Sequence, residues 1–240
     1  MAAGRPVELD AHLARLAASA RELFGAPAMA RVLGPARALA EARARRLPST
    51  GTGGTAPLGR LRLTLAADAE GALDLAAVAA AVDPALVFPA HAHGATLVPV
   101  TVAGGLGSHK WADRRLLDDV RGAVDGALPL IVDGDGAVLE AERANVFAVH
   151  AGVLATPPAD GRILPGIARA RVIEIAHELG IAVREQPLAL DDLLAADDVF
   201  LTGSVRGVEP VVAVERTARQ PGGEVAGQLA VALRERWLRA

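Results

Sequence analysis

Apolar residues recur with two different periods along this chain, and the two periods follow one another in mixed order. Residues 12–25 and 166–179 repeat apolar side chains at helical spacing, whereas Leu61, Leu63 and Leu65 alternate with polar residues as in a half-buried strand. A regular βα repeat would instead alternate strands and helices strictly. The pattern therefore predicts an α+β fold with two lobes.

Turn signals divide the chain into elements. Predicted helices cover residues 12–25, 28–46 (strained at Gly34-Pro35), 111–124, 166–179, 191–195 and a C-terminal stretch from about 223. Predicted strands lie at 61–65, near 73, and at 95–102, 130–133, 138–140, 145–150, 153–156, 182–185, 199–202 and 211–214. Residues 48–57 form a predicted surface loop. The glycine-rich link at 104–107 predicts a smaller lobe at 1–103 and a larger one at 104–240.

Composition excludes several classes of protein. Hydrophobic residues make up 52% of the 240, which supports a substantial core, and no apolar run reaches the roughly 18–20 residues that span a bilayer. The absence of Cys removes disulfides, cysteine–zinc sites and thiol nucleophiles. A net charge of −3 provides no basic surface for nucleic acid. We therefore expect a cytoplasmic protein without membrane or nucleic-acid partners.

Lys110 is the only lysine among 25 basic residues. Arginine replaces lysine wherever only positive charge is needed, but a guanidinium cannot act as an amine nucleophile. The sequence predicts Lys110 at the mouth of helix 111–124, beside His109, Arg114 and Arg115, whose charges lower the pKa of a nearby amine. Two interpretations stay open at this point: an amine with a chemical role, or a solvated lysine at a helix start.

Three segments carry a resemblance to a known family: VDGDGAVLEAERANVFAVHAGVLATPP, GRILPGIARARVIEIAHELGIAVREQPL and LLAADDVFLTGSVRGVEPV. In order and spacing they resemble the class IV aminotransferases, the fold-type IV pyridoxal-phosphate (PLP) enzymes, from about His12 to Glu215. The family includes branched-chain aminotransferases, D-amino-acid aminotransferases and 4-amino-4-deoxychorismate lyases. The resemblance implies a two-lobed PLP-binding fold and a homodimer.

The resemblance implies a role for individual residues. Lys110 matches the lysine that attaches to PLP through its amine and then moves the substrate proton. Glu140 matches the carboxylate that faces the pyridine nitrogen and keeps it protonated; the alternative is a surface Glu at a strand end, with Glu142 as a neighbour that could be mistaken for it. Asn145 is interpreted as structural. The implied phosphate-binding residues are Arg15, Gly166, Ile167, Ala168 and Ser204.

The chain departs from the family pattern in three places. It has no Tyr to contact the cofactor's phenolic oxygen, and Ala168 stands where the family often has Thr. Family members usually begin with a strand or two before the segment that matches HLARL, and only MAAGRPVELDA precedes it here. We therefore expect those N-terminal strands, and part of the substrate pocket, to be missing.

The reaction is predicted from the surroundings of two residues. Arg206 follows Ser204 in LTGSVRGVEPV, and HKWADR surrounds Lys110; both resemble the lyase subgroup. The prediction is a PLP-dependent lyase that converts 4-amino-4-deoxychorismate to 4-aminobenzoate and pyruvate, with Arg206 binding a substrate carboxylate rather than lying in an exposed loop. A branched-chain or D-amino-acid aminotransferase and a non-catalytic PLP-binding protein are the alternatives.

A metal site is not predicted. His91 and His93 would face the same side of a strand, as metal ligands do, but the sequence offers no third ligand at a suitable spacing. The interpretation is a pair of histidines in a loop or at the surface.

Overall fold

The computed structural model describes residues 2, 4–46, 58–113, 115–122, 124–220 and 223–238. The chain divides into two compact units, Met1–Pro84 with Arg236–Ala240, and Ala85–Glu235. Within the described ranges, no helix combines the length and the apolar character that crossing a membrane requires. The predicted surface loop at 48–57 lies outside the described residues.

The first unit joins two helices to a hairpin. Its elements are α1 (Leu9–Phe24), α2 (Ala26–Arg45), β1 (Gly59–Ala67) and β2 (Leu73–Ala81). Gly25 separates the helices with a φ of 87°, a conformation that suits glycine. Leu13, Val32 and Ala36 form the buried centre, against which leucines of both strands pack. The period-2 leucines of β1 therefore cover the helices, as their spacing predicts.

The second unit contains a nine-stranded mixed sheet. Its strands are β3 (Ala95–Thr101), β4 (Leu128–Val132), β5 (Val138–Ala141), β6 (Asn145–His150), β7 (Val153–Thr156), β8 (Val183–Glu185), β9 (Asp198–Gly203), β10 (Gly207–Val214) and β11 (Thr217–Ala218). Eight of them follow the order β5-β4-β3-β10-β9-β6-β7-β8, and β11 pairs with β10. β3 is parallel to both β4 and β10.

Four helices accompany this sheet. They are α3 (Arg115–Gly122), α4 (Ile167–Glu178), α5 (Leu190–Ala195) and α6 (Glu224–Leu238). α4 contacts the sheet through β9 and β8. It begins after Pro165 and ends before Gly180, as predicted. The positive φ of 73° at Gly180 is typical of the glycine that follows a helix.

The two faces of the central strands differ in character. Val146 and Leu201 lie on the face that contributes to the large apolar cluster, which we call the core face. Because side chains alternate along a strand, Asn145 and its register partner Thr202 lie on the opposite face, which we call the Asn145 face. Two residues further along the same strands, and so on the same face, Phe147 and Phe200 stack with ring centroids 5.1 Å apart. The Asn145 face therefore combines an aromatic pair with buried polar groups.

The predicted α+β fold is confirmed, and the predicted strands from residue 95 onward all occur. α2 continues through Pro35, within the span predicted for that helix. His91 and His93 form a short 3-10 turn, which agrees with the loop or surface pair interpreted from the sequence. α3 differs from its prediction, since it begins at Arg115 rather than residue 111. The predicted boundary at residues 103/104 lies inside the second unit, because β3 pairs there with β4 and β10.

The stacked phenylalanines provide a test of the second unit's packing. Phe147→Ala removes a fully buried ring and leaves a cavity, so the free energy of unfolding should fall by about 3–5 kcal/mol. Val231→Ala on α6, where the side chain is 59% exposed, should change it by less than about 0.5 kcal/mol. Urea unfolding of the two variants measures both values, and equal losses would contradict the packing described here.

Candidate functional site

Glu140 is a buried carboxylate on β5. The residue is 4% exposed, so the structure rejects the alternative of a surface Glu at a strand end. Its Oε1 accepts the backbone N–H of Leu164 at 3.1 Å, and its Oε2 accepts the side-chain amide of Asn145 at 3.3 Å. A buried anion is costly unless donors surround it. β5, β6 and the loop before α4 therefore meet at this carboxylate.

Asn145 connects Glu140 to the start of α4. The same Nδ2 that faces Glu140 also donates to the carbonyl of Leu164 at 2.9 Å. A Cβ placed on Gly166 would lie 2.0 Å from the Oδ1 of Asn145, so any larger residue there would displace Asn145 from its hydrogen bonds. The structural role interpreted for Asn145 is thus borne out, and Gly166 is required by space rather than by its backbone angle.

The beginning of α4 lies beside this cluster. Gly166 is the N-cap residue and makes no side-chain cap. Helix geometry leaves the N–H groups of the first turn, at Ile167 and Ala168, without intrahelical acceptors, and the helix dipole adds partial positive charge there. Both residues are buried. This arrangement suits an anion whichever side chains occupy the two positions.

The loop before α4 also anchors the segment that leads to Lys110. The N–H of Gly107 donates to the carbonyl of Arg162 at 3.2 Å, and the N–H of Gly104 donates to the Asp133 carboxylate at 2.8 Å. A Cβ on Gly105 would lie 2.2 Å from that Arg162 carbonyl oxygen. Within the glycine-rich link, Gly105 therefore packs closely against Arg162. Residues 162–164 join the Lys110 segment to Glu140.

Asp133 is held as an anion at this junction. The Gly104 N–H and the Arg162 guanidinium, which lies 3.0 Å away, lower the pKa of Asp133 below its ordinary value. Arg162 also pairs with Asp160 at 2.7 Å. These contacts tie Gly104 and the loop at Arg162 to the same carboxylate, Asp133, and so hold the glycine segment in place.

Lys110 lies in an exposed loop, five residues before α3 begins. The predicted position at a helix mouth is therefore wrong. Arg115 is engaged with Asp113, and this guanidinium lowers the pKa of the Asp113 carboxyl to about 2. His109 packs edge-to-face on Trp111, with ring centroids 5.5 Å apart. Arg114 lies outside the described residues. The role of Lys110 stays a prediction.

The remaining implied phosphate-binding residues belong to different units of the chain. Arg15 is half-buried on α1, in the first unit, and Ser204 is exposed in the turn after β9. Their proposed contacts stay predictions. Thr202, the register partner of Asn145, was not singled out from sequence; its buried hydroxyl has no hydrogen-bond partner among the described residues. An unpaired buried hydroxyl is uncommon in proteins.

Glu142, the neighbour that could be mistaken for Glu140, has a different environment. It is also buried, but it pairs with the Arg121 guanidinium, whose Nε lies 3.1 Å from its Oε2. Among the described residues, no group of three potential metal ligands occurs.

Comparison with known proteins identifies the relationship. The family model for amino-transferase class IV matches residues 1–214. A branched-chain-amino-acid aminotransferase of Escherichia coli is 43% identical over 86 residues, which cover 36% of this chain and 28% of that protein. The chain therefore matches about a third or less of the length of such curated relatives. The matched share is 28% for the Escherichia coli protein and 36% for another branched-chain relative.

Solved structures match over nearly the whole chain. An aminotransferase from Brucella abortus bound to PLP is 28% identical, with a TM-score of 0.73 and coverage of 97% of this chain and 84% of that one. A hypothetical aminotransferase from Mycobacterium tuberculosis in its PLP-bound form has a TM-score of 0.83 at 23% identity, covering 98% and 86%. The second likeness shows the fold alone.

Gly166 provides a test of the site's geometry. Gly166→Ala forces its new Cβ against Asn145, which must move from Glu140 and Leu164, so the free energy of unfolding should fall by about 1–3 kcal/mol. Gly227→Ala is the matched control, because nothing lies within 4 Å of its added Cβ in helix α6. There the substitution should be neutral or stabilise by up to about 1 kcal/mol. Urea unfolding compares the two, and a tolerated Gly166→Ala would contradict the contact.

Proposed function

Because the chain belongs to the class IV aminotransferase family, we propose that it is a PLP-dependent enzyme whose cofactor lies against Glu140 and the start of α4. The observation that carries this proposal is the buried Glu140 carboxylate, connected through Asn145 and Leu164 to the loop that leads into the first turn of α4. The distribution of charge fits the cofactor: an anion for a pyridinium at one end and backbone donors for a phosphate at the other.

Each residue has a defined task in this proposal. The Glu140 carboxylate holds a proton at the pyridine nitrogen, and Lys110 provides the amine that binds the cofactor aldehyde and then accepts and returns the substrate proton. The amides of Ile167 and Ala168, with Ser204 and Arg15, bind the phosphate. When bound, PLP supplies an electron sink for the carbon that loses its proton.

The donor set also accounts for one departure from the family pattern, the Ala168 that stands where Thr is frequent. Ala168 provides a backbone N–H at the helix start although it lacks the hydroxyl of Thr. The unpaired Thr202 hydroxyl lies in the same polar region of the Asn145 face. The residues present therefore fit a phosphorylated pyridine without the missing Thr.

For the reaction, we propose 4-amino-4-deoxychorismate lyase activity, with Arg206 binding a substrate carboxylate. Its guanidinium pairs with the buried Glu209 at 2.9 Å, which favours an ordered position for this side chain over a freely exposed loop Arg. A second candidate, branched-chain aminotransferase, is favoured by the names of the relatives that match in sequence. We also propose that the protein is cytoplasmic and forms a homodimer. Light scattering of the purified protein tests the dimer.

Reconstitution with PLP tests the cofactor site. The wild-type protein should develop absorbance near about 410–430 nm, and Lys110→Ala should abolish it because the only lysine amine is gone. Glu140→Gln should retain bound cofactor but reduce turnover by about 10²-fold or more. The exposed Glu70→Gln, in a turn of the first unit, is the matched control and should leave both unchanged.

Product analysis separates the candidate reactions. Incubation with 4-amino-4-deoxychorismate should give 4-aminobenzoate and pyruvate, whereas a panel of L- and D-amino acids with 2-oxoglutarate reports transamination as glutamate. Glutamate without aminobenzoate would replace the lyase by the aminotransferase. Bound cofactor with neither product would support the non-catalytic alternative.

A further inference from the structure

Two neighbouring turns pack against each other at one end of the central strands. Residues 142–144 form the β5–β6 turn, and residues 204–206 form the β9–β10 turn. The two turns lie together, because a Cβ on Gly203 would be 3.7 Å from the carbonyl oxygen of Arg143. Since Ser204 opens the β9–β10 turn, its position depends on how the two turns are held together.

Both turns adjoin the residues assigned to the cofactor. The β5–β6 turn lies between Glu140 and Asn145, whose side chains are joined by a hydrogen bond of 3.3 Å. The β9–β10 turn follows β9, where Thr202 is the register partner of Asn145. A Cβ on Gly166 would lie 2.0 Å from the Oδ1 of Asn145, so the start of α4 abuts the same cluster. Ser204, two residues after Thr202, therefore follows the strand that adjoins this cluster.

A buried carboxylate joins the two turns. Glu209 on β10 is 2% exposed. Arg143, in the β5–β6 turn, donates from Nη1 to Oε2 of Glu209 at 2.7 Å and from Nη2 to Oε1 at 2.9 Å. Arg206, in the β9–β10 turn, donates from Nη1 to the same Oε1 at 2.9 Å. One carboxylate thus accepts hydrogen bonds from both turns and ties them to β10.

The geometry of the Arg143–Glu209 pair makes it a specific contact. Two parallel N–H···O bonds between a guanidinium and a carboxylate fix orientation as well as distance. The Glu209 carboxylate is buried, so the loss of its partners would leave a charge without compensation. The pair therefore holds the β5–β6 turn in one orientation against β10, although its two residues are 66 positions apart in the chain.

The pair lies on the side of the sheet away from the cofactor cluster. Glu209 is the register partner of Leu201, which lies on the core face. Asn145 and Thr202 lie on the Asn145 face, because successive residues of a strand point to opposite faces. An effect of Arg143 on the cofactor must therefore pass through the backbone of the two turns, which makes Arg143 a positioning residue.

We propose that Arg143 and Glu209 position the β9–β10 turn so that Ser204 reaches the phosphate of the cofactor. The inference rests on the proposed function, since it names the residues that position the phosphate contact of the same site. Without the pair, the packing of Gly203 on the β5–β6 turn is no longer supported by an ion pair, and the two turns can separate. The contact of Ser204 with the phosphate is then lost, whereas the pyridine contact at Glu140 is kept.

The test compares PLP with pyridoxal, which lacks the phosphate, by absorbance titration of the cofactor-free protein. The wild-type protein should bind PLP at least about a hundredfold more tightly than pyridoxal, because several donors pair with the charged phosphate. Arg143→Met should lower this ratio by about tenfold, the value of one hydrogen bond to a charged group, and should change pyridoxal binding by about twofold or less. Arg143→Met leaves Glu209 paired with Arg206, so the fold should be retained.

Two further variants serve as a rescue and a control. Arg143→Lys keeps the positive charge but not the bidentate geometry, so it should lower the ratio by only about threefold. Arg184→Met is the matched control, because Arg184 is exposed on β8, at the opposite end of the strand order from β5, and it should retain the full ratio.

A double-mutant cycle tests whether Arg143 acts through Ser204. Ser204→Ala alone should lower the ratio of PLP to pyridoxal affinity by about tenfold. In the Arg143→Met background the same substitution should lower it by about threefold or less, because the contact with the phosphate is already lost.

The outcomes distinguish this inference from the proposed function. If Arg143→Met weakens both ligands by the same factor or leaves both unchanged, Arg143 has no positioning role and the cofactor site stands. Effects of Arg143→Met and Ser204→Ala that simply multiply would also overturn the inference. If the wild-type protein binds neither PLP nor pyridoxal, the proposed function is overturned, and this inference with it.

Discussion

The buried carboxylate of Glu140 is the interaction on which the site depends. An anion removed from water must be compensated by donors, and here the donors come from Asn145 and the backbone of Leu164. The Oδ1 of Asn145 lies 2.0 Å from the position of a Cβ on residue 166, so a residue larger than Gly166 would push Asn145 away from these partners. Satisfying one charge therefore fixes where β5, β6 and the start of α4 lie relative to each other.

The elements of the fold could be predicted from the sequence because local periodicity and turn residues determine them. β4 to β10 appear where alternation and glycines place them, and α4 begins after Pro165 as expected. The start of α3 could not be predicted, because residues 111–113 are compatible with a helix locally, and Asp113 instead binds the N–H of Arg115. A short side-chain contact decided that boundary.

The candidate site was only partly accessible from the sequence. Glu140 and Gly166 were identified through a resemblance, and the structure adds the physical reason that connects them. The pairing of Arg143 with Glu209 spans 66 residues, and no pattern within either segment indicates it. Local sequence does not distinguish Glu140 from Glu142 either. Both are buried, and they differ only in their partners, Leu164 and Arg121, which come from other parts of the chain.

The single lysine allows a direct measurement of the central claim, that the Lys110 amine binds the cofactor in this site. The protein is incubated with PLP, reduced with borohydride and digested, and the peptides are weighed by mass spectrometry. The account predicts a phosphopyridoxyl mass on the peptide that contains Lys110. A modification confined to the chain's α-amino group, or no modification, would contradict it.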